Sequence, residues 1–600
     1  MLRRSSPALV LCWALLVVAL LTSERARAEH AMSDLERSVV AEALDAQGWE
    51  RDPEPDGKWI EQIEVYAIDV FDHRDPVPNV LNVFHVTSQD YVIRREMLFR
   101  VGTRYDPIRV QETERNLRAL RQLSLVILVA ARGSSPDRVR VLAIVKDTWS
   151  LRLNTNWALG AGTFEYLLLN PSEENLFGTH TSVGLLYVLE RDRYSAGGRF
   201  INRRVGGSRL WLGAQSTLFF NRHTGAGEGS AGQFVFEQPL YSLHTEWAFS
   251  TRVAWRQEVT RWYRGPDIAP FPIETPAGTA QVPFLYDTDR LAAEYWGVRS
   301  FGRTYKFDLT FGMEALRGRY RERDMGAFSP EVREAFRRQA LPVDDVRISP
   351  FLQLRAYTSR FHRTLNLELL GLQEDFRMGH DALLRVYPAS SALGSTRTLL
   401  GVLAEVGYTV PLGDGLARAV VSSDIVVADG GRHEALFWSG ARFASPTFAG
   451  GLRLHLDGIV AHRYQNYLNV PPYFLGGNGR LRGYVADGIR GRDMAVANVE
   501  LRTRPIDVLS AQLGGAVFYD VGDAASSLGV LEPKQGVGLG ARILFPQTER
   551  LVMRIDWAMP LSGPDEPLPG ALFVTFGQAF PMPGVVQPSV TSATSAAGGY

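Results

Sequence analysis

Few of the residues that usually carry covalent chemistry stand in a pattern that could use them. His433-Glu434 lacks a second histidine four residues on, so the helical zinc-protease spacing fails, and no Gly-x-Ser-x-Gly nucleophile elbow occurs. Gly536-Val537-Gly538-Leu539-Gly540 could pass for a phosphate loop, but it lies in a strand-like run with no helix opening after it. Cys12 is the single cysteine and falls in the N-terminal apolar run, which leaves no thiol or disulfide downstream. What remains is the chemistry of charges placed on alternate positions. Leu513, Gly515, Val517, Tyr519 and Val521 oppose Gln512, Gly514, Ala516, Phe518 and Asp520; Leu551, Met553, Ile555 and Trp557 oppose Arg554 and Asp556. Asp520 thus falls on a polar face, where a partly dehydrated carboxylate needs a cation and an arginine offers a bidentate fork. No enzyme activity, metal or cofactor is expected.

The elements that must hold these charges are strands. From residue 147 to 580 the chain repeats strand-length segments of alternating polarity, separated by Gly-, Pro- and Asp-containing turns. In the first segment Trp149, Leu151, Leu153, Thr155, Trp157 and Leu159 share one face, and Ser150, Arg152, Asn154, Asn156 and Ala158 the other. Trp149 and Trp157 stand about 26 Å apart along a strand, or about 19 Å of depth at a ~45° tilt. With Trp557 they are expected in the aromatic girdles of a membrane-spanning barrel. A soluble sandwich also alternates. The unbroken repetition, the aromatic placement, the absence of thiols and an export signal favour the barrel, which must close so that every backbone group is paired in lipid. About twenty segments can be counted. The longer connections, near 258–288, 318–344, 371–393 and 465–491, are expected on one side, outside the cell.

Arg3 and Arg4, the apolar run 7–21 and Ala26-Arg27-Ala28 read as a cleaved signal peptide over 1–28. Residues 29–58 read as a linker with one short amphipathic helix around Leu35, Val39, Val40 and Leu44. Residues 59–147 read as a small α+β domain: a strand from Trp59, a helix capped by Thr87 or Ser88 and running through Phe99, a helix opened by Asp106-Pro107 and running to about Leu123, then strands 126–131 and 139–145. Residues 148–580 are the barrel, and 581–600 a Pro/Ser/Thr/Gly-rich tail, expected to be disordered. The composition agrees with mainly β structure: 56 Gly, 30 Phe, 21 Tyr and 12 Trp. A formal net charge of zero argues against a nucleic-acid partner.

The ordered motifs resemble the outer-membrane assembly family typified by BamA and TamA, also called the bacterial surface antigen family. Residues 59–147 resemble a POTRA (polypeptide-transport-associated) domain through Val65, Phe71, Val92-Ile93-Arg94-Arg95-Glu96, Leu98-Phe99 and Arg115-Asn116-Leu117-Arg118. In the barrel, Gly476-Gly477 with Leu481-Arg482-Gly483-Tyr484 resembles the family's loop motif. Phe518-Tyr519-Asp520-Val521-Gly522 resembles its strand motif, followed in order by 536–540, 554–557 and the closing Phe576-Gly577-Gln578-Ala579-Phe580. The resemblance implies that Arg482 folds into the lumen and pairs with Asp520, with Gly483 and Gly477 at the tight return. It also implies sixteen strands, and a seam between the first strand (149–159) and the last (571–580). Only one POTRA-like unit is visible, and the chain continues past Phe580.

The expected function is outer-membrane protein assembly or polypeptide translocation, by templating substrate strands at the seam. A passive channel or surface-antigen barrel is an alternative. A two-partner secretion transporter, its pore plugged by the helix at 35–44, is another. Expected partners are outer-membrane lipids, unfolded outer-membrane or secreted polypeptides held at the POTRA edge in the periplasm, and periplasmic accessory proteins. A charge swap, Arg482→Asp with Asp520→Arg, is expected to recover part of what either alanine variant loses.

Overall fold

A computed structural model describes residues 32–71, 82–83, 85–160, 163–264, 267–276, 278–470, 473–477, 479–486, 488–509, 511–548, 550–562 and 570–577. The stretch 1–28 read as a signal peptide, with Cys12, the closing Phe580 and residues 581–600 lie outside the described residues.

The N-terminal unit has helices α1 (Asp34–Gln47), α2 (Asp90–Arg94) and α3 (Pro107–Arg118), and strands β1 (Trp59–Ile68), β2 (Leu123–Arg132) and β3 (Arg138–Asp147). The strands form one sheet in the order β1-β3-β2, parallel between β1 and β3 and antiparallel between β2 and β3. Central β3 is apolar on both faces and so needs two covers. Val139, Val141 and Val145 pack with Ile93 of α2 and Val110 and Leu117 of α3. Leu142 and Ile144 pack with Val39, Val40, Ala43 and Leu44 of α1. The stretch read as a linker therefore contributes the second layer of this core. Ser33 and Glu36 close a capping box at the start of α1, and Gly48 ends it at φ 62°. Asp106 caps α3, with Pro107 in its first turn, and the helix stops at Arg118, short of the expected Leu123. Helix α2 is also much shorter than expected. The Ser88 hydroxyl is paired with His180 Nε2 (2.7 Å) and its N–H donates to Asp147 (2.6 Å), which takes it away from a helix start there.

Twenty antiparallel strands, from Leu151–Gly160 to Ala571–Phe576, close into one barrel, with the three-residue strand Ile506–Val508 added at one rim. The segment count holds, and the sixteen strands implied by the resemblance do not. Side chains alternate as a membrane barrel requires: Leu151 and Leu153 are exposed while Arg152 is buried, and Val517 is exposed while Asp520 is fully buried.

Three of the long connections, 262–284, 323–344 and 467–492, gather at the end far from the N-terminal unit. There Trp262 stacks on Phe474 at 4.7 Å, and Val343 donates its N–H to the Leu468 carbonyl (2.8 Å). Helix Pro330–Gln339 packs its Phe336 against Phe284 and Ile273 of the first connection. The fourth expectation is corrected: 371–393 contains the barrel strand Gly379–Ala389, and the long insertion is 359–378, at the opposite end beside the N-terminal unit. This insertion folds as the hairpin Phe361–Leu365/Gln373–Arg377. Its tip turns into the lumen because its leucines find an apolar floor there: Leu367 against Leu416 and Ala444, Leu370 and Leu372 against Leu544 and Val552.

Candidate functional site

Four neighbouring strands turn their alternate positions inward to build one wall of the lumen. Strand Asp493–Thr503 presents Asn498, Glu500 and Arg502, and strand Ala511–Ala525 presents Phe518 and Asp520. Strand Met553–Pro560 presents Arg554 and Asp556. Between them, Lys534–Leu544 offers Gly536, Gly538 and Gly540 before Arg542. These glycines are a track. A Cβ on Gly536 would lie 2.4 Å from the Arg482 carbonyl oxygen, and one on Gly538 2.3 Å from the Phe518 ring. The run set aside as a phosphate loop is thus the floor on which the far-end loop lies.

Residues 479–486 of that loop descend onto the track. Gly483 takes φ +99°, and a Cβ there would meet the Met559 carbonyl carbon at 2.8 Å, so only glycine makes this return without displacing the wall. Arg482 is fully buried and forks onto Asp520, Nε to Oδ2 at 2.8 Å and Nη2 to Oδ1 at 2.9 Å, with its own backbone N–H also donating to Oδ2 (3.1 Å). Its Nη1 reaches Glu500 (3.0 Å) and Asp556 (3.1 Å), and its guanidinium lies 3.3 Å from the Phe518 ring centre. Arg542 bridges the same two carboxylates, 2.5 Å to Asp556 and 2.9 Å to Glu500. Arg502 adds a bond to Glu500 (2.7 Å), and Asn498 one to Asp520 (2.8 Å). The sequence reading named Arg482 and Asp520 but not Glu500, Arg542 or Asn498. Their signal was there, a charge or amide at every second position of a strand, but nothing local tells which loop side chain they meet.

The other motif residues hold the loop. Leu481 and Tyr484 are buried with Leu475, Ile489 and Ala461, and the Tyr484 hydroxyl bonds the carbonyls of Gln535 and Ser562, both at 2.7 Å. Gly477 at φ +74° donates to the Tyr484 carbonyl (2.9 Å), and a Cβ on Gly522 would sit 2.8 Å from the Ala495 carbonyl oxygen. Trp157 and Trp557 face outward on the two strands that flank the last strand, Trp557 36% exposed. Trp149 does not join them: the strand begins at Leu151, and Trp149 packs on Phe71 (5.4 Å) and His85 (6.2 Å) of the N-terminal unit.

From the opposite end the 359–378 insertion meets the same wall. Arg502 donates to the Leu367 carbonyl (2.9 Å), and Arg442 spans Asp457 (2.8 Å) and Glu368 (2.5 Å), while Arg480 of the far-end loop also holds Asp457. Buried Glu374 accepts the N–H groups of Leu367 and Glu368, both at 2.8 Å; burial, reinforced by Glu368, pushes its carboxyl up to about 8. On its outer side the hairpin grips the N-terminal unit: Arg118 to Asp375 (2.7 Å), Arg363 to Glu114 (2.8 Å) and Gln373 to Glu36 (3.2 Å).

Barrel closure is weakest where its ends meet. Ala571–Phe576 registers on Leu151–Gly160 only from Ala571↔Gly160 to Val574↔Trp157, whereas strands 285–301 and 305–322 pair from Tyr286↔Glu322 to Phe301↔Phe307. Beyond that register the Phe576 N–H bonds only the Asn156 side chain (3.1 Å), and Gly577 turns away at φ +92°, donating to the Val552 carbonyl (2.8 Å).

This is a transmembrane barrel with a loop folded back into its lumen and held there on a buried arginine. Residues 448–580, which carry that loop and its strands, match the Omp85 superfamily domain. No curated protein matches the sequence. Among solved structures it is similar to BamA from Haemophilus ducreyi lacking POTRA domains 1–3, at 12% identity over 87% of this chain and 84% of that one, with a TM-score of 0.32. It is also similar to CdiB from Acinetobacter baumannii (10% identity, 96% and 88% covered, TM-score 0.42) and CdiB from Escherichia coli (11%, 96% and 100%, 0.42). An Omp85 barrel resides in the outer membrane of a Gram-negative cell.

Proposed function

We propose that this protein assembles or translocates polypeptides at the outer membrane by templating an incoming strand at the seam. The short register between the terminal strands carries this reading. On the first strand, 151–156 has no backbone partner on the terminal-strand side among the described residues. The bonds that close the seam contribute about 0.5–1.5 kcal/mol each, but an edge left open in lipid costs far more, so the favoured event is exchange of one paired strand for another. A substrate strand adding by backbone bonds supplies that replacement. The wall is also lowest here. At ~3.3 Å per residue and a ~40° tilt, the last strand covers about 15 Å of depth and strand 305–322 about 45 Å, so the bilayer beside the seam must thin to match.

The N-terminal unit, POTRA-like in its α+β order, would stand in the periplasm and hold extended substrate. Its β2 edge is engaged at one end by 50–52, through Asp52 N–H to Ala130 O (2.9 Å) and Arg132 N–H to Glu50 O (2.8 Å). On β1, Thr103 and Gly102 bond only Ile60, and from Val65 onward that edge has no backbone partner on its outer side among the described residues. This makes β1 the edge on which a substrate would add. Helix α1, which the secretion-transporter reading would use as a pore plug, is packed on the sheet, and the 359–378 hairpin fills the lumen mouth instead.

The test is a lock. Trp157→Cys with Val574→Cys should form a disulfide across the seam, and the oxidised protein should fail to support assembly in a depleted host, with recovery on reduction. Quantitative mass spectrometry of the outer membrane then shows whether many barrels fall or one exported protein does. Full activity of the oxidised, locked barrel would overturn strand exchange and leave transport through the lumen.

A further inference from the structure

We infer that the crevice between α3 and the near rim of the barrel is a seat for the phosphate of an anionic phospholipid in the periplasmic leaflet. The cavity, 570 Å³, lies between α3, the turn 239–246, the turn 302–304 and the start of the 359–378 hairpin, and Arg115, Arg303, Arg360 and His244 line it. None of the three arginines forms an ion pair among the described residues. Arg115 instead stacks its guanidinium 3.9 Å over the Phe361 ring. The carboxylates at the cavity are already engaged: Asp375 by Arg118 and Arg363, and Asp106 by the Ile108 N–H (2.9 Å) that it caps. A second basic hollow of 240 Å³ adjoins it through His244 and adds Arg100, Arg109 and Arg209 without an acidic residue in its lining.

Position selects the ligand. Arg360 lies 6.0 Å from the Tyr305 ring, and Tyr305 is an exposed outward residue stacked on His380 at 6.0 Å and followed on its strand by exposed Phe307. From Phe307 the outward positions Leu309, Phe311, Met313 and Ala315 are all apolar until Arg317. Ten residues at ~3.3 Å and a ~40° tilt span about 25 Å, the height of a barrel's apolar band. The Tyr305–Phe307 level is therefore the inner aromatic girdle, and the cationic crevice sits just below it, where headgroup phosphates lie. Exposed Ile108, at the start of α3, lies beside the same opening. A water-borne acidic peptide would not need this aromatic border. His244 fits the same positive field: burial, then Arg109 and Arg303, hold it below its ordinary pKa. This assignment rests on the barrel's orientation in the membrane and not on strand exchange at the seam.

The test places full-length protein in nanodiscs of phosphatidylcholine, titrates in phosphatidylglycerol, and reads hydrogen exchange over 107–118, 239–246 and 359–363. Phosphatidylglycerol should slow exchange there. With about fivefold per arginine near an anionic surface, Arg115→Gln/Arg303→Gln/Arg360→Gln should raise the midpoint about a hundredfold, and the corresponding lysine variant should recover most of it. If the triple variant loses the heat-modifiable gel mobility of a folded barrel, the exposed Arg303→Gln and Arg360→Gln are read singly, each expected to shift the midpoint about fivefold. Equal protection by inorganic phosphate in pure phosphatidylcholine would overturn the lipid source in favour of a free-anion site. Protection by oligoglutamate but not by phosphatidylglycerol would make the crevice a polypeptide site, and no protection by any of them would remove it.

Discussion

At the scale of single residues the decisive group is Arg482, because it answers three carboxylates and not one. Removing it leaves buried Asp520 without its arginine fork, and Glu500 and Asp556 to Arg542, Arg502 and Arg554, so Arg482→Ala should lower barrel stability by about 3–5 kcal/mol. The measurement is the urea midpoint of heat-modifiable mobility. Asp520→Asn should cost less, since Glu500 and Asp556 still hold the guanidinium. The charge swap expected from the isolated pair should fail: an aspartate at 482 would face Glu500 and Asp556, so Arg482→Asp with Asp520→Arg should be no better than Arg482→Ala. Recovery by the swap would mean that the loop docks differently. Asp520 was legible as an inward carboxylate because strand alternation places it. Asp556 was legible as inward in the same way, but that it and Glu500 meet Arg482 was not, because each strand shows only its own charge, and the closed sheet alone makes them neighbours. Trp149 shows the reverse error. The alternation runs through it unbroken, but its partners, Phe71 and His85, come from the other unit.

At the scale of elements, the strands were legible and the insertion was not. Period-two polarity holds along the whole wall, so counting segments gave the right number where the family's number misled. The stretch 365–372, Leu-Asn-Leu-Glu-Leu-Leu-Gly-Leu, also reads as a strand, and only its fit into the lumen floor makes it a tip. Likewise the apolar β2 and β3 needed a cover on each face, a demand that composition alone assigned to a linker. The hairpin carries a pH dependence whose sign follows from Glu374. Its folded pKa of about 8 lies above its ordinary 4.5, so the contribution to docking is complete below 4.5 and is lost as pH rises through about 8. The protection factor of 366–372, exchange corrected for its intrinsic base-catalysed rate, should therefore fall between about pH 5 and pH 8, and that of the Glu374→Gln variant should be flat over that range. A second expectation is electrical. Deleting 360–377 should raise single-channel conductance in planar bilayers well above the native trace, and Arg118→Glu, which breaks the grip on Asp375, should produce intermittent openings. An unchanged trace in both would mean that the far-end loop alone seals the barrel.

At the scale of the whole molecule the charges form a connected path. Arg482 meets Glu500, which meets Arg502, which holds the Leu367 carbonyl; the same hairpin reaches Arg118 and Glu114 of α3 through Asp375 and Arg363. Contact alone does not establish coupling. Double-mutant cycles supply the measurement: Arg502→Gln combined with Arg118→Gln should give an interaction energy of about 0.5–3 kcal/mol although the two residues do not touch, and additivity would show two independent seals.

The closure from both ends also has a consequence for the cell that makes the protein. Open barrels of sixteen to eighteen strands conduct water freely, and one of twenty strands without filling would be wider still. Each copy is thus a stoppered hole in the permeability barrier, safe only while two separate stoppers stay seated. Cells carrying a variant with one stopper loosened should become sensitive to bulky antibiotics before they show any loss of assembly. The earliest phenotype of damage to this protein would then be poisoning of its own host by leakage.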